Sequence, residues 1–285
     1  MRFGFVPNSL RTEAASLTAE LAQWLEGDGH TVCVPAHEAR SGGLDRLAVD
    51  DDAFAGGLDL VVVVGGDGTV LRAVDLTTGK RAPLLSVNMG RLGYLTEVEP
   101  AGARQAIESF LAGDYHVERR MTVVGRVEPS GRQIEGLNEI VLAGGEVGRL
   151  ADIVCAIDDA EFTVYPCDAV VVGTPTGSTA YAFSAGGPIV SPGLGCLVVV
   201  PVAAHSLFNR ALVLRPDEGL MLRINGERPG AISVDGRKVD ELRPGESLRL
   251  SAGAEGVTFV RFRELDFLAI LREKFGLMGP PRRRA

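Results

Sequence analysis

Apolar and polar residues alternate in blocks along the first hundred residues, and the blocks have the lengths of strands and helices. The segments RFGFVPN, TVCVPA, LDLVVVVGG and APLLSVNMG predict strands, whereas EAASLTAELAQWLEGDGH and GTVLRAVDLTTG place apolar residues at helical spacing. The strand LDLVVVVGG is apolar on both faces, as is typical of the middle of a parallel sheet. A polar stretch from Glu38 to Gly57 predicts a loop. This order predicts an α/β, doubly wound, mostly parallel sheet.

The pattern changes after the helical segment GARQAIESFLAGDY. From Met121 onwards, short β segments are separated by Gly, Pro and Asp, which predicts a β-rich second domain. The segment LDFLAILREKFGL near the end returns to helical spacing, with Phe267, Leu268, Leu271 and Phe275 on one stripe. We therefore predict an α/β domain over residues 1–118, a β-rich domain over residues 119–264 and a C-terminal helix within residues 265–285.

Composition narrows the classes of function. The formal net charge is -8, which argues against a wide nucleic-acid interface. No apolar run approaches the roughly 20 residues of a membrane span, and the N-terminus lacks the apolar core of a signal peptide. The four cysteines have no CxxC spacing, so they are expected to be core residues in a reducing cytoplasm. From the charge and the lack of a span, we expect neither nucleic-acid nor membrane partners. The basic run Pro281–Arg284 is interpreted as a solvated tail.

The segment LVVVVGGDGT is the first candidate site. No lysine follows, as a P-loop requires, and Leu71 stands where a dinucleotide-binding fingerprint needs its third glycine. Gly65, Gly66 and Gly68 allow positive φ and a close approach of a phosphate or sugar, and the helix expected from Thr69 supplies N–H groups for phosphate oxygens. Asp67 could then take a proton from a hydroxyl or hold a phosphate-bound metal ion; alternatively it only caps the helix.

A second candidate site is the segment from Asp168 to Gly187, which opens from an apolar strand into small and hydroxyl residues around Tyr181. Such a segment exposes backbone amides and an aromatic plane to a nucleotide, although close packing of a helix on the sheet would need the same composition. The pair Asn138 and Glu139 can hold a ribose diol, because an amide donates while a carboxylate accepts.

These segments together resemble the NAD kinase family. LVVVVGGDGTVLRAVDL, VNMGRLGYLTEVEP, LNEIVL and DAVVVGTPTGSTAYAFSAGGPIVSP occur in the family's order, and AAHSLFNRALVL and SVDGRKV follow. GGDGT alone is shared with diacylglycerol kinases, sphingosine kinases and phosphofructokinases, whereas the TPTGSTAY block is far more specific. The resemblance implies transfer of the terminal phosphate of ATP, or of another nucleoside triphosphate or polyphosphate, to the 2′-hydroxyl of the adenosine ribose of NAD, giving NADP.

The resemblance also implies roles for individual residues. Asp67 would accept the proton of the 2′-hydroxyl, and the donor triphosphate with its Mg²⁺ would lie over Gly65, Gly66, Gly68 and Thr69. Arg72 could reach a phosphate or be a surface residue. NAD would contact Asp67, Gly68, Asn138, Glu139, Arg149, Asp168, Thr179, Ala180, Tyr181, Ser184, Ala203 and Arg237. The family fold has its last helix returning to the first domain, and its members form dimers or tetramers in which neighbouring subunits often complete the site.

The chain departs from the family pattern at several positions. Ala169 stands where many members have glycine, Ala204 and Ala211 replace prolines around His205 and Arg210, and Pro166 and Cys167 occupy positions that can be basic. These changes leave open whether NAD or NADH is the acceptor and which phosphate donor is preferred. A lipid kinase of the same superfamily and a non-catalytic NAD(H)-binding regulator stay as alternatives.

Overall fold

The computed structural model describes residues 1–79, 82–90, 93–146, 149–264 and 266–277. The chain forms two compact units, one of Met1–Arg119 with Thr258–Ala285 and one of Arg120–Val257. The basic run Pro281–Arg284 and the end of the predicted C-terminal helix lie outside the described residues.

The first unit is a seven-stranded sheet with helices packed against it. Its elements are β1 (Arg2–Pro7), α1 (Thr12–Gly27), β2 (Thr31–Pro35), α2 (Ala36–Gly42), β3 (Ala48–Val49), α3 (Asp51–Phe54), β4 (Leu60–Gly65), α4 (Asp67–Thr77), β5 (Leu84–Asn88), α5 (Ala103–Ala112) and β6 (His116–Arg120), followed near the end of the chain by β19 (Val257–Arg261) and α7 (Phe267–Lys274). The strand order is β3-β2-β1-β4-β5-β19-β6. β1 pairs in parallel with β2 and β4, and β4 with β5, which confirms the predicted doubly wound sheet.

The central strand β4 explains why this sheet forms. Leu60, Val62 and Val64 pack in one core cluster with residues of α1 and α5, and Val61 and Val63 on the opposite face are also fully buried. A strand buried on both faces must be apolar throughout, which is the pattern of LVVVV.

Two predictions about this unit need correction. The segment from Glu38 to Gly57 is not one loop: it holds α2, a short 3-10 helix at Asp45–Leu47, β3 and α3, anchored by the buried Ala39, Leu47 and Phe54. Its apolar residues are too widely spaced to show a period.

The predicted domain boundary at residue 264 is also displaced, because β19 pairs in parallel with β5 through Phe259 and Leu84 and so belongs to the first unit.

A buried ion cluster ties β19 into this unit. Arg261 is 1% exposed; its Nε donates to Glu118 at 2.8 Å and its Nη1 to Glu97 at 3.0 Å. The Glu97 carboxylate also accepts a hydrogen bond from the backbone N–H of Phe262. The cluster therefore joins the segment after β5 to β6 and β19.

The second unit contains two antiparallel six-stranded sheets. Its elements are β7 (Val123–Glu128), β8 (Arg132–Gly136), β9 (Glu139–Gly144), β10 (Ala151–Ile157), β11 (Ala160–Cys167), β12 (Ala169–Gly173), a 3-10 helix (Thr176–Thr179), α6 (Tyr181–Ser184), β13 (Leu197–Val202), β14 (Leu212–Leu214), β15 (Leu220–Asn225), β16 (Gly230–Val234), β17 (Arg237–Leu242) and β18 (Ser247–Ala252). The orders are β11-β10-β15-β18-β7-β8 and β14-β13-β12-β9-β16-β17.

The two sheets share one core, which contains Ile153 and Leu222 from the first and Val170 and Ile232 from the second. The outer face of the second sheet carries another apolar cluster, where Val171 and Val198 meet Ala182 of α6 and Val190. The small-residue segment after β12 is therefore held against the outside of the sandwich.

No helix in the described ranges is long and apolar enough to cross a bilayer. All four cysteines are free thiols and buried, as predicted.

We expect Arg261→Ala to lower the free energy of unfolding by about 3–5 kcal/mol, because Glu97 and Glu118 would lose their buried counter-ion. The free energy of unfolding is measured by urea denaturation followed by circular dichroism.

The matched control is Arg249→Ala, which removes an arginine that also joins two carboxylates, Glu128 and Asp159, but at an exposed surface. Little change is expected there, since exposed ion pairs are screened by water. An equal loss in both variants would contradict the structural role assigned to Arg261.

Candidate active site

The GGDGT segment forms the turn from β4 into α4, with Asp67 as the first helical residue. The backbone N–H groups of Thr69 and Val70 both donate to the carbonyl of Gly66, at 2.9 and 3.1 Å, and so begin the helix. The helix N-terminus carries a partial positive charge, which favours the acidic residue in its first turn.

The Asp67 carboxylate is fixed by the loop that follows β5. Its Oδ2 accepts a hydrogen bond from the backbone N–H of Tyr94 at 2.9 Å, and its Oδ1 accepts one from Leu95 at 3.0 Å. A Cβ at Gly93 would lie 2.2 Å from Oδ1, so only glycine leaves room for the carboxylate there. Both hydrogen bonds go to this loop rather than to the helix, so the capping alternative does not describe Asp67. Each oxygen retains a lone pair for a further partner.

The glycines of this turn lack the predicted positive φ, but two of them provide the predicted room beside the backbone. Gly65, Gly66 and Gly68 all have φ outside the left-handed region. A Cβ at Gly65 would lie 2.2 Å from Thr69 Oγ1, so Gly65 is required because the Thr69 side chain packs over it. An added Cβ at Gly66 or Gly68 would meet no atom within 4 Å, which leaves open space beside Asp67. Thr69 is therefore buried, and the accessible part of the turn is Gly66 to Gly68.

Arg72 makes ion pairs within the first unit. Its Nε donates to Glu38 at 2.9 Å, Nη2 to Asp51 at 2.8 Å and Nη1 to Asp75 at 3.3 Å. Hydrogen bonds to Glu38 and Asp51 raise the pKa of Arg72 despite the opposing effect of burial. Because these carboxylates neutralise the guanidinium, the geometry favours a structural role over the phosphate contact proposed for Arg72.

In the second unit, the hydroxyl residues after β12 divide into two kinds. Thr174 and Ser178 are fully buried and hold the segment together: Thr174 Oγ1 donates to the carbonyl of Leu137 at 2.6 Å, and Ser178 Oγ accepts from the N–H of Val190 at 2.9 Å. The predicted NAD-binding residues of this segment, Thr179, Ala180, Tyr181 and Ser184, are half-buried or exposed. The packing interpretation of the segment therefore applies to Thr174 and Ser178, and the ligand-binding interpretation stays open for the accessible residues.

The Asn138–Glu139 pair lies beside this segment at the start of β9. The carbonyl of Asn138 accepts a hydrogen bond from the N–H of Thr174 at 2.8 Å, and a Cβ at Gly177 would lie 2.0 Å from the same oxygen. The backbone N–H groups of Asn138 and Glu139 donate to Asp235 Oδ1 at 2.7 and 3.1 Å. One end of β9 therefore brings together Asn138, Glu139 and the segment after β12.

Glu139 has an unusual environment for a carboxylate. It is 4% exposed, and its Oε2 has no hydrogen-bond partner among the described residues. Burial, and then the charge of Asp235, raise the pKa of Glu139 to about 7, although a hydrogen bond from the Tyr181 N–H acts in the opposite direction. A buried acceptor without a donor is costly, so this oxygen is suited to a ligand hydroxyl.

The predicted NAD-binding residues of the second unit fall at two opposite ends of its second sheet. Glu139 pairs with Gly173, the last residue of β12 before the segment with Tyr181. Ile140, the next residue of β9, lies opposite Val234, which in turn pairs with Arg237. Tyr181 and Arg237 are therefore at the Glu139 end of the sheet. At the other end of these strands, Ala169 pairs with Ala143 and Val202. Asp168 directly precedes Ala169, Ala203 directly follows Val202, and the β9–β10 loop with Arg149 begins just after Ala143. These three residues therefore lie at that end. Five residues of strand separate the ends by about 16 Å.

Several residues of the site were not identified from the sequence. Gly93, Tyr94 and Leu95 hold Asp67, and Asp235 holds the Asn138–Glu139 turn. Both segments, VNMGRLGYLTEVEP and SVDGRKV, belong to the family pattern, but a single sequence cannot show which residues 27 or 96 positions apart are hydrogen-bonded. In the part of the chain that the structure describes, no three His, Cys, Asp or Glu side chains are grouped as metal ligands.

Comparison with known proteins covers both units. Residues 3–115 match the family model for the ATP-NAD kinase N-terminal domain, and residues 137–262 match that for the C-terminal domain. The NAD kinase of Geotalea daltonii is 34% identical over 262 residues, covering 90% of this chain and 92% of that protein.

Two solved structures share the fold. A yeast NADH kinase in complex with NADH superposes with a TM-score of 0.89 at 23% identity, covering 100% of this chain and 90% of its own. An NAD kinase from Archaeoglobus fulgidus in complex with ATP gives 0.72 at 24% identity, covering 98% of this chain and 100% of its own. With both domains matched and a relative similar over nearly the whole length, the chain belongs to the NAD kinase family.

Proposed function

We propose that this chain phosphorylates NAD at the 2′-hydroxyl of its adenosine ribose, with ATP as donor and NADP and ADP as products. The observation that carries the proposal is the fixed Asp67 carboxylate at the N-terminus of α4, beside the open space at Gly66 and Gly68. Phosphoryl transfer requires mainly positioning and charge neutralisation, and this turn offers both.

The proposed step uses Asp67 as the base. The 2′-hydroxyl oxygen attacks the γ-phosphorus of ATP, its proton passes to Asp67, and the bond from the γ-phosphorus to the bridging oxygen of ADP breaks. The N–H donors of Tyr94 and Leu95 keep the carboxylate in one orientation, and the N-terminal N–H groups of α4 favour phosphate oxygens near Gly66 and Gly68. Of the predicted donor-binding positions, Gly65 and Thr69 are buried because the Thr69 side chain is packed on Gly65, so we assign the donor contacts to Gly66 through Gly68.

NAD binding is assigned to the second unit. Glu139 accepts a ribose hydroxyl through Oε2, Asn138 donates through its amide, and the accessible Tyr181 offers an aromatic face to a base. Thr179, Ala180 and Ser184 contact the same nucleotide, with Arg237 at the same end of the sheet. Mg²⁺ is expected to arrive with the donor phosphates, whose charge it neutralises, and we assign it no protein ligand.

We infer that a second copy of the chain supplies Asp168, Ala203 and Arg149 to each site, in a homodimer or homotetramer. These residues lie about 16 Å from Glu139 along the sheet. Four exposed apolar residues lie nearby in the sequence, Phe162 and Val164 on β11 and Leu207 and Phe208 after β13; we call them the apolar patch, and the rings of Phe162 and Phe208 are 5.6 Å apart. Leu207 is fully exposed, and Phe162 and Phe208 are 45% and 40% exposed. Exposed apolar patches mark protein contacts.

A cytoplasmic location fits the four free, buried thiols, since the reducing cytoplasm keeps cysteines unpaired.

Incubating the protein with ATP, Mg²⁺ and NAD is expected to produce NADP, detected with an NADP-specific dehydrogenase. Parallel reactions with polyphosphate and with NADH define the donor and the acceptor. Tight NAD binding without NADP would favour the non-catalytic regulator, and phosphorylation of a lipid instead of NAD would favour the lipid kinase.

Asp67→Asn is expected to lower kcat by roughly 10²- to 10⁴-fold while KM for NAD changes only a few-fold, because the amide keeps the shape of the side chain but cannot accept a proton. Steady-state NADP formation measures both constants. Asp75→Asn, on the exposed side of the same helix, is the control and should keep wild-type kcat. Near-normal turnover in Asp67→Asn would remove Asp67 from the chemistry.

The double substitution of Leu207 and Phe208 by aspartate is expected to dissociate the oligomer and raise KM for NAD, since two charges would be buried in the apolar patch. Light scattering coupled to size-exclusion chromatography reports the mass. Leu10→Asp, at a 93% exposed leucine of the first unit, should leave both quantities unchanged. An unchanged mass in the double variant would mean that subunits do not meet at this patch.

A further inference from the structure

Asp235 occupies the tight turn between β16 and β17 and has a backbone conformation that few residues adopt. Its φ is +47°, and Gly236 follows with φ +80°. Two consecutive left-handed residues are typical of a two-residue hairpin turn, in which Asn or Asp commonly precedes glycine. The turn explains a short polar residue at 235, but it would be formed as well by asparagine.

The Asp235 carboxylate makes three hydrogen bonds to one short stretch of backbone. Oδ2 accepts from the N–H of Leu137 at 2.9 Å, and Oδ1 accepts from Asn138 and Glu139 at 2.7 and 3.1 Å. The N–H of Asp235 donates in return to the carbonyl of Glu139 at 3.1 Å. An amide side chain has one acceptor oxygen and two N–H donors, so it cannot satisfy the same three donors. The carboxylate, rather than the turn, therefore requires aspartate.

The approach of this turn depends on Gly136. A Cβ there would lie 2.9 Å from the Glu139 carbonyl and 3.2 Å from Asp235 Oδ1. The strand end, the β16–β17 turn and the Asn138–Glu139 pair are thus packed as one unit, and moving Asp235 would move both proposed NAD-binding side chains.

Asp235 also acts on Glu139 through its charge. Its carboxylate adds to burial in raising the pKa of Glu139, whereas the Tyr181 N–H lowers it. Burial raises the pKa of Asp235 as well, while its three N–H donors and the nearby Arg237 lower it. Glu139 and Asp235 are therefore two buried acids whose ionisations are linked.

We propose that Asp235 is a positioning residue for NAD: it fixes Asn138 and Glu139 in their binding geometry through three backbone hydrogen bonds and controls whether Glu139 is charged. This inference rests on the NAD-binding role proposed above for those two residues. Ionised Glu139 accepts ribose hydroxyls, and its ionised fraction grows as the pH rises through about 7, so KM for NAD is expected to fall between pH 6 and pH 8.

The test compares Asp235→Asn and Asp235→Ala with the full-length wild type, by NADP formation and by calorimetric titration with NAD alone. Both variants should weaken NAD binding by about tenfold or more, since hydrogen bonds to a charged group are lost, and KM for ATP should stay within about twofold. In Asp235→Asn the pH at which KM for NAD changes should move downwards, because the negative charge beside Glu139 is gone. A merely structural role would not move that midpoint.

Asp158→Ala is the matched control. Asp158 also has a left-handed backbone, with φ +48°, in a β turn of the same unit, but its carboxylate receives the N–H of Gly219 instead of the β9 turn. Wild-type constants are expected there. If Asp235→Ala does not fold, as judged by circular dichroism, the Asn variant carries the test.

The outcomes separate the two proposals. Wild-type protein that forms no NADP would contradict the kinase function. An active wild type together with an Asp235→Asn variant of unchanged NAD affinity and unchanged pH midpoint would contradict only the role of Asp235.

Discussion

The close approach of one backbone loop to another, at positions where a Cβ has no room, is the constraint on which the proposed functional groups of each unit depend. An added Cβ at Gly93 would lie 2.2 Å from the Asp67 carboxylate, and one at Gly177 would lie 2.0 Å from the carbonyl of Asn138. In each unit, a glycine thus lets a loop reach the turn that carries a functional side chain. Replacing either glycine would displace the side chain without altering any chemical group of the reaction, so the site depends on shape as much as on composition.

The carboxylates with a proposed functional role have different partners from the structural carboxylates. Elsewhere in the first unit, Arg261 pairs with the buried Glu97 and Arg72 pairs with the buried Glu38, so each of these two carboxylates has a cation. Asp67 in the first unit and Asp235 in the second are held by backbone N–H groups. Neutral donors orient a carboxylate without cancelling its charge, which leaves Asp67 free to act as a base and leaves Asp235 to act electrostatically on Glu139.

The sequence predicted those features whose signal is local. The run LVVVV marks the central strand because burial on both faces demands an unbroken apolar segment, and GGDGT marks the turn after it. Features that depend on distant partners are not visible in the sequence. Asp235 accepts hydrogen bonds from a turn almost a hundred positions earlier, and β19, near the end of the chain, pairs with β5 of the first unit. The sequence alone does not decide between the two roles considered for Arg72, because only the fold shows that Glu38 and Asp51 pair with it.

The antiparallel sheet of the second unit also limits what one chain can do alone. Its strands β9 and β12 carry Glu139 and Gly173 at one end and Gly144 and Asp168 at the other, and pairing fixes this separation. A flexible loop could bring such residues together, but a five-residue ladder buried on both faces cannot bend to do so. If, as proposed, another copy supplies the second group, the exposed Leu207 and Phe208 give that copy an apolar surface to bind. Affinity for NAD would then rise with protein concentration, because the complete site exists only in the assembled form.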